Sequence, residues 1–308
     1  MKLRPIALVC IAATLAACGS APPPVPATET NTRNFMAEAM AAYTDNRYAE
    51  ARNFFGRAYM RYRSVDDLKG ETDTLVDLAD AALLQGDVAA ARSNLGDAQA
   101  LVDGHPSLAD FKPRLVLMDA YADLQTDDPA TARTLDALLA TPNLPPDIRR
   151  AALFARTQAA FDVRATDALQ WLAKLGKPGT DPLDAARLER LEALAEPDTG
   201  KAAALDAEAL TQYKSVYYRP GIAAVHEEWG ARLLAKRDWS GARDHLLRAL
   251  HVRLWMYDAS HSVHILDELV TADRALGDTA AANQDAAWAE YLKEGGDPSK
   301  TPNPAVDP

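Results

Sequence analysis

A helical spacing repeated at four places restricts the fold of this chain more than any other feature. In residues 46–58 (NRYAEARNFFGRA) a break is followed by an aromatic residue and then by Ala51, Phe55 and Ala58, four and three apart. Gly86-Asp87-Val88 followed by Ala91, Leu95 and Ala98 repeats it, as does Asp238-Trp239 followed by Ala242, Leu246 and Ala249. Gly277-Asp278-Thr279 with Ala282, Ala286 and Ala289 is a fourth copy, and Ala165 with Ala168, Leu172 and Leu175 a weaker one. Intervals of three and four place these side chains on one face of a helix. Another amphipathic stretch precedes each copy, with a small residue near its middle at Ala39, Ala79 and Gly230. Small residues at facing positions let two helices approach closely, while Phe55, Leu95 and Leu246 fill the gap to the next pair. The 62 alanines among 308 residues, with 7% aromatics, favour helix over strand.

This pattern resembles the tetratricopeptide repeat, whose unit is two antiparallel helices over about 34 residues. The resemblance implies an all-α chain, a right-handed α-α superhelix or solenoid of about seven helical hairpins spanning residues 35–294. It is good over 35–102 and 222–294 and looser over 103–221, where Asp128-Pro129-Ala130-Thr131-Ala132 and Pro145-Pro146-Asp147 suggest irregular pairs. Asp128-Pro129 and Asp181-Pro182 read as helix starts, an N-cap followed by proline. The chain departs from the consensus in its intervals, 40 residues from Ala51 to Ala91, and in Arg63 where a proline would close the first repeat. Breaks at Gly176-Lys177-Pro178-Gly179 and at Tyr217-Tyr218-Arg219-Pro220-Gly221 end pairs, and the second predicts a seam near 220 dividing two arms.

At the N-terminus, Lys2 and Arg4 precede an apolar run from Pro5 to Thr14, of signal-peptide length and too short to span a bilayer. Leu15-Ala16-Ala17-Cys18 then resembles the lipobox of bacterial lipoproteins. That resemblance implies a signal peptide over 1–17, removal before Cys18, and diacylglycerol and a fatty acyl group such as palmitate on Cys18. Gly19, in place of Asp, implies sorting to the outer membrane, facing the periplasm. Residues 18–34, with Pro22, Pro23, Pro24 and Pro26, read as a tether reaching roughly 50 Å in extended form. The tail 295–308 (GGDPSKTPNPAVDP) reads as disordered. Cys10 lies in the signal and Cys18 is consumed by lipid, leaving no thiol for a disulfide, a metal or nucleophilic catalysis. Losing Lys2 and Arg4 takes 33 basic side chains to 31 against 44 acidic, a net of −13, which opposes nucleic-acid binding.

Signatures of catalysis fail. Gly176-Lys177-Pro178-Gly179-Thr180 lacks the upstream glycine of a phosphate loop, and His226-Glu227-Glu228-Trp229-Gly230 has glycine where a zinc-protease helix has its second histidine. Five of six histidines (His226, His245, His251, His261, His264) fall within 39 residues. His261 and His264 share a helix face and could hold a metal with Asp258 or Asp267, although helix surfaces usually carry such histidines without function. Trp229, Trp239, Trp255 and Trp288 lie in the same arm. Trp239 is expected in the core; for Trp255-Met256-Tyr257 core packing is expected, with an exposed contact patch as the alternative.

In tetratricopeptide arrays the first helix of each pair lines the concave face. The resemblance therefore implies a partner-binding groove of Met36, Met40 and Tyr43 in the first pair, Val76, Asp80, Leu83 and Leu84 in the second, and Phe161 in the fourth; inter-repeat core is the competing assignment. Met, Leu and Tyr suit a peptide or a partner helix. The function expected is non-enzymatic and without cofactor: an adaptor or scaffold for another envelope protein in assembly, secretion or pilus-type machinery. The alternative is a ligand- or metal-binding accessory lipoprotein with a pocket in the His- and Trp-rich arm.

Overall fold

The helix boundaries follow from one turn used nine times. A residue with left-handed backbone (Asn46, Asp66, Gly86, Arg164, Tyr217, Arg237, Tyr257, Gly277 or Gly295) ends one helix. The next residue donates its N–H to the carbonyl five positions back, as Asp87 to Ala82 at 2.9 Å and Asp238 to Leu233 at 3.0 Å. In five of the nine that residue is an aspartate whose carboxylate caps the following helix, Asp67 accepting from Gly70, Asp87 from Ala90, Asp238 from Gly241, Asp258 from His261 and Asp278 from Ala281. The 6→1 bond satisfies a terminal carbonyl and the carboxylate an orphan N–H. Asp238→Ala should accordingly cost about 1 kcal/mol in urea unfolding; an unchanged midpoint would show the cap to be dispensable.

A computed structural model describes residues 27–126 and 128–300. It is an all-α helical-repeat superhelix in which helices pack in successive pairs. The pairs are α1 (Ala27–Thr44) with α2 (Tyr48–Ser64), α3 (Leu68–Leu83) with α4 (Val88–Gly104), and α5 (Lys112–Leu124) with α6 (Thr131–Leu139). They continue with α7 (Pro146–Asp162) and α8 (Ala168–Leu175), α9 (Pro182–Ala195) and α10 (Thr199–Ser215), α11 (Arg219–Ala235) and α12 (Trp239–Trp255), and α13 (Ala259–Leu276) and α14 (Thr279–Lys293). A 3-10 turn, Pro106–Phe111, joins α4 to α5. Short α6 and α8 are the irregular middle expected from sequence. No described helix is long and apolar enough to cross a membrane.

Packing follows the small-and-large rule. Ala39, Ala51, Phe55 and Ala58 are buried, as are Ala79, Ala91, Leu95 and Ala98, and Ala242, Leu246 and Ala249. A Cβ added to Gly230 would lie 2.8 Å from the Leu246 side chain, so the close approach of α11 and α12 requires glycine there. In the last pair the buried row is Ala282, Asp285, Trp288, Ala289 and Leu292, with Ala286 only half-buried. Trp239 is half-buried.

Three expectations are corrected. Helix α1 begins at Ala27, inside the segment read as tether, because Ala, Glu, Arg and Met between 27 and 40 are good helix formers. Cys18 and the signal sequence lie outside the described residues. Packing runs through residue 220 without a break: Gly221 sits on the ring of Tyr213, where a Cβ would come within 2.4 Å. Finally, the first residues of the tail fold back, Gly296 and Asp297 donating N–H bonds to the Tyr291 carbonyl (2.9 Å) and hydroxyl (3.0 Å). Residues 301–308 lie outside the described ones.

Candidate functional site: the inner face and the seam

The superhelix closes on itself with a fixed offset. Asn46, in the turn of the first pair, donates from Nδ2 to the Tyr217 carbonyl at 2.7 Å, 171 residues away. Gln85, in the turn of the second pair, donates to the Met256 carbonyl at 3.4 Å, again 171 residues away. The Asn46 carboxamide oxygen also accepts from the Arg219 N–H at 3.1 Å, and the Arg219 guanidinium donates to the Asp45 carbonyl at 3.0 Å. One turn of the superhelix thus sets the upper turns of pairs one and two against the junctions α10–α11 and α12–α13.

Helices α3, α5, α7, α9, α11 and α13 touch in succession, which places the first helix of each pair on the inner side. That face is spanned by the protein's own polar side chains. Tyr43 on α1 donates its hydroxyl to Asp80 on α3 at 2.6 Å. Arg187 on α9 lies over the ring of Tyr218 at 5.8 Å, and its charge reaches Tyr121 and Asp80. Burial holds the Tyr43 phenol well above its usual range and pushes those of Tyr121 and Tyr213 up to about 12. Burial also raises the Asp80 carboxyl, against the stabilising bond from Tyr43. Farther along, Arg190 on α9 bridges Gln158 on α7 and Glu228 on α11. Burial pushes Glu228 up to about 7, opposed by Arg190. One Glu228 oxygen and the Arg190 Nε have no hydrogen-bond partner. Polar contacts joining α1 to α3, and α9 to α7 and α11, thus occupy the face where an open apolar groove had been expected.

Of the residues assigned to that groove, Tyr43 and Asp80 are brought together on the inner face. Val76 and Leu83 are instead buried in the cluster formed with Leu75, Leu95 and Leu115, and cannot meet a partner. The physical reason is that α3 is covered by α2, α4 and α5, while Asp73, Asp77, Asp80 and Leu84 stay partly accessible; Arg114 on α5 pairs with Asp73 (3.5 Å) and Asp77 (2.9 Å). Met36 packs with Phe55, and Phe161 against the cluster of Phe154 and Leu191. Met40 is 48% exposed and Leu84 half-buried. Tyr121, Arg187, Arg190, Tyr218 and Glu228 were missed; the one signal present was Arg187 and Arg190, two cations three apart within an Ala- and Leu-rich stretch.

The histidines do not gather around a metal. His226 and His245 meet Nδ1 to Nδ1 at 3.0 Å, and Trp229 stacks on His245 at 4.1 Å. His261 pairs with Asp258 at 2.8 Å, while His264 points toward Glu268 at 3.8 Å. Among the described residues no group of three or more His, Cys, Asp or Glu could hold a metal ion.

Two clefts lie along the seam. A cleft of about 430 Å³ is lined by Tyr48, His251, Leu254, Trp255, Tyr257 and Pro298, among others. A second, of about 380 Å³, lies between Val216, Tyr217 and Arg219 and shares Asn46, Arg47 and Trp255 with the first. Trp255 is 37% exposed and Tyr257 49%, whereas Met256 between them is buried. Of the two assignments weighed for Trp255-Met256-Tyr257, exposure therefore holds at both aromatics. The left-handed turn at Tyr257 (φ 62°) turns neighbouring side chains to opposite sides. Arg219 stacks on Trp255 with its guanidinium carbon 3.5 Å from the ring centroid.

No protein-family model matches this chain, and no curated protein matches it. Among solved structures it is similar to BtubC (BKLC) from P. vanneervenii, with 14% identity over 88% of this chain and 92% of that one and a TM-score of 0.33.

Proposed function

We propose that this protein is a lipid-anchored adaptor of the bacterial envelope, tethered to the outer membrane through Cys18 and presenting its superhelix to another envelope protein in the periplasm. The anchor rests on Leu15-Ala16-Ala17-Cys18 after a short apolar run. The observation that carries the binding role is the pair of adjoining clefts along the seam, where Trp255, Tyr257 and Tyr217 remain exposed on an ordered helical frame. Exposed aromatics around a concave, mostly preformed site are the usual composition of a contact hot spot.

Two measurements test this reading. Cys18→Ser should leave the protein uncut or free of the outer membrane; wild-type protein soluble in the periplasm and lacking acyl groups by mass spectrometry would refute the anchor. A photo-crosslinking residue at Tyr257 or Tyr217 in the lipidated protein should trap a discrete envelope protein, while the same residue at Met60, exposed on α2 away from the seam, should not. Equal products at all three positions would refute docking at the seam. A second reading, an accessory protein for a small ligand, is favoured by the size of the larger cleft, which falls in the range of ligand pockets. Under it, tryptophan fluorescence would respond to a small molecule in the absence of any partner.

A further inference from the structure

We infer that the larger seam cleft takes an extended, proline-rich segment of the partner protein; this deepens the docking role proposed above and rests on it. Four observations point to that chemistry. First, a proline of the chain already lies there: Pro298, carried back by the hydrogen bonds of Gly296 and Asp297 to Tyr291, borders the cleft beside Ser299. Second, the lining includes two aromatics, Trp255 and Tyr257, exposed on a turn fixed by its 6→1 hydrogen bond. Flat rings separated by a rigid turn are the surface on which proline rings of a left-handed extended helix pack.

Third, among the described residues lining this cleft the one Lys or Arg is Arg47, and it is already paired, with Asp45 at 3.2 Å and with Glu50. A neutral segment fits such a rim better than a charged one. Fourth, four backbone carbonyls at the aromatic turn are already engaged: those of Val252, Arg253 and Leu254 accept from Met256 and Tyr257, and that of Met256 from Gln85. At that turn a ligand finds few free backbone acceptors for its own N–H groups. Proline has none to satisfy, and its preset backbone loses little entropy on binding.

The test uses the full chain and a fluorescein-labelled decaproline peptide, with a Gly-Ser peptide of equal length as control. Fluorescence anisotropy should show saturable binding of decaproline and none of the control. Trp255→Ala and Tyr257→Ala should each weaken binding at least tenfold while far-ultraviolet circular dichroism stays unchanged; if one variant fails to fold, the other carries the test. Truncation before Asp297 should bind at least as tightly as the full chain, since the chain's own Pro298 then no longer competes for the aromatic lining. Absence of saturable decaproline binding, equal binding of the control, indifference to both substitutions, or weaker binding after truncation would each overturn the inference. If decaproline fails while crosslinking through Tyr257 persists, the partner's chemistry is wrong and the adaptor role stands; loss of both removes the adaptor role as well.

Discussion

Asn46→Ala should cost the protein about 3–5 kcal/mol of unfolding free energy, the largest effect expected of any polar substitution here. The side chain is 2% exposed. It donates to the carbonyls of Tyr217 (2.7 Å) and Thr44 (3.2 Å) and accepts from the Arg219 N–H (3.1 Å) and the Tyr48 hydroxyl (3.0 Å). Removing it strands several polar groups in a closed interface, each worth roughly 1–3 kcal/mol when unsatisfied. The residue also holds a left-handed backbone (φ 62°), which asparagine tolerates and alanine does not. Asn46→Gly separates the two contributions, since glycine keeps the backbone and loses only the hydrogen bonds. Urea unfolding measures the cost, and hydrogen exchange should show the amides of Tyr218 and Arg219 opening with it. A loss below about 1 kcal/mol would mean that the superhelical turn closes without Asn46.

The second large effect is a pair of opposed pH dependences within α11. Burial first, and then the neighbouring His245, pushes His226 down to about 4, with Arg248 and Lys214 adding to the repulsion and only Asp244 opposing it. The unfolded imidazole titrates near 6.5. The folded state therefore binds fewer protons at this site, so stability present above pH 6.5 is lost as pH falls toward 4, by about 3 kcal/mol at most. Glu228 works the other way. Its folded value of about 7 lies above the ordinary carboxylate value, so stability present below pH 4.5 is lost as pH rises toward 7. Relative to wild type, Glu228→Gln should gain about 3 kcal/mol between pH 4.5 and 7, and His226→Asn should gain a similar amount between pH 6.5 and 4. Urea midpoints of the three proteins at half-unit intervals check both signs. Parallel profiles would mean that neither group is perturbed.

These expectations bear on the proposed function because the same residues decide what is open. Asn46 closes the superhelical turn and, with Arg47, lines both clefts. A variant that opens the turn should therefore lose binding at Trp255 as well as stability, whereas Trp255→Ala should lose binding alone.

The hairpins, their number and most of their core were legible in the chain. Intervals of three and four at Ala51, Phe55 and Ala58, and again at Ala242, Leu246 and Ala249, report local helix geometry, and every one of those residues is buried. Capping aspartates after Gly86 and Gly277 are equally local, since the carboxylate reaches an amide three residues ahead. The inner face was not legible. Val76 and Asp80 lie one turn apart on α3, and whether each meets core or lumen depends on how α2, α4 and α5 surround that helix. The closure was hidden for the same reason: Asn46 and Tyr217 are separated by 171 residues, and no local pattern encodes a meeting set by the summed rotation of successive pairs. By itself, the sequence determined a stack of helical hairpins, because helix periodicity and capping act over a few residues. Tertiary structure alone decided that the stack completes a turn, fills its inner face with Tyr43, Asp80 and Arg187, and leaves Trp255 and Tyr257 exposed along the seam, because those outcomes depend on the accumulated curvature of the whole array.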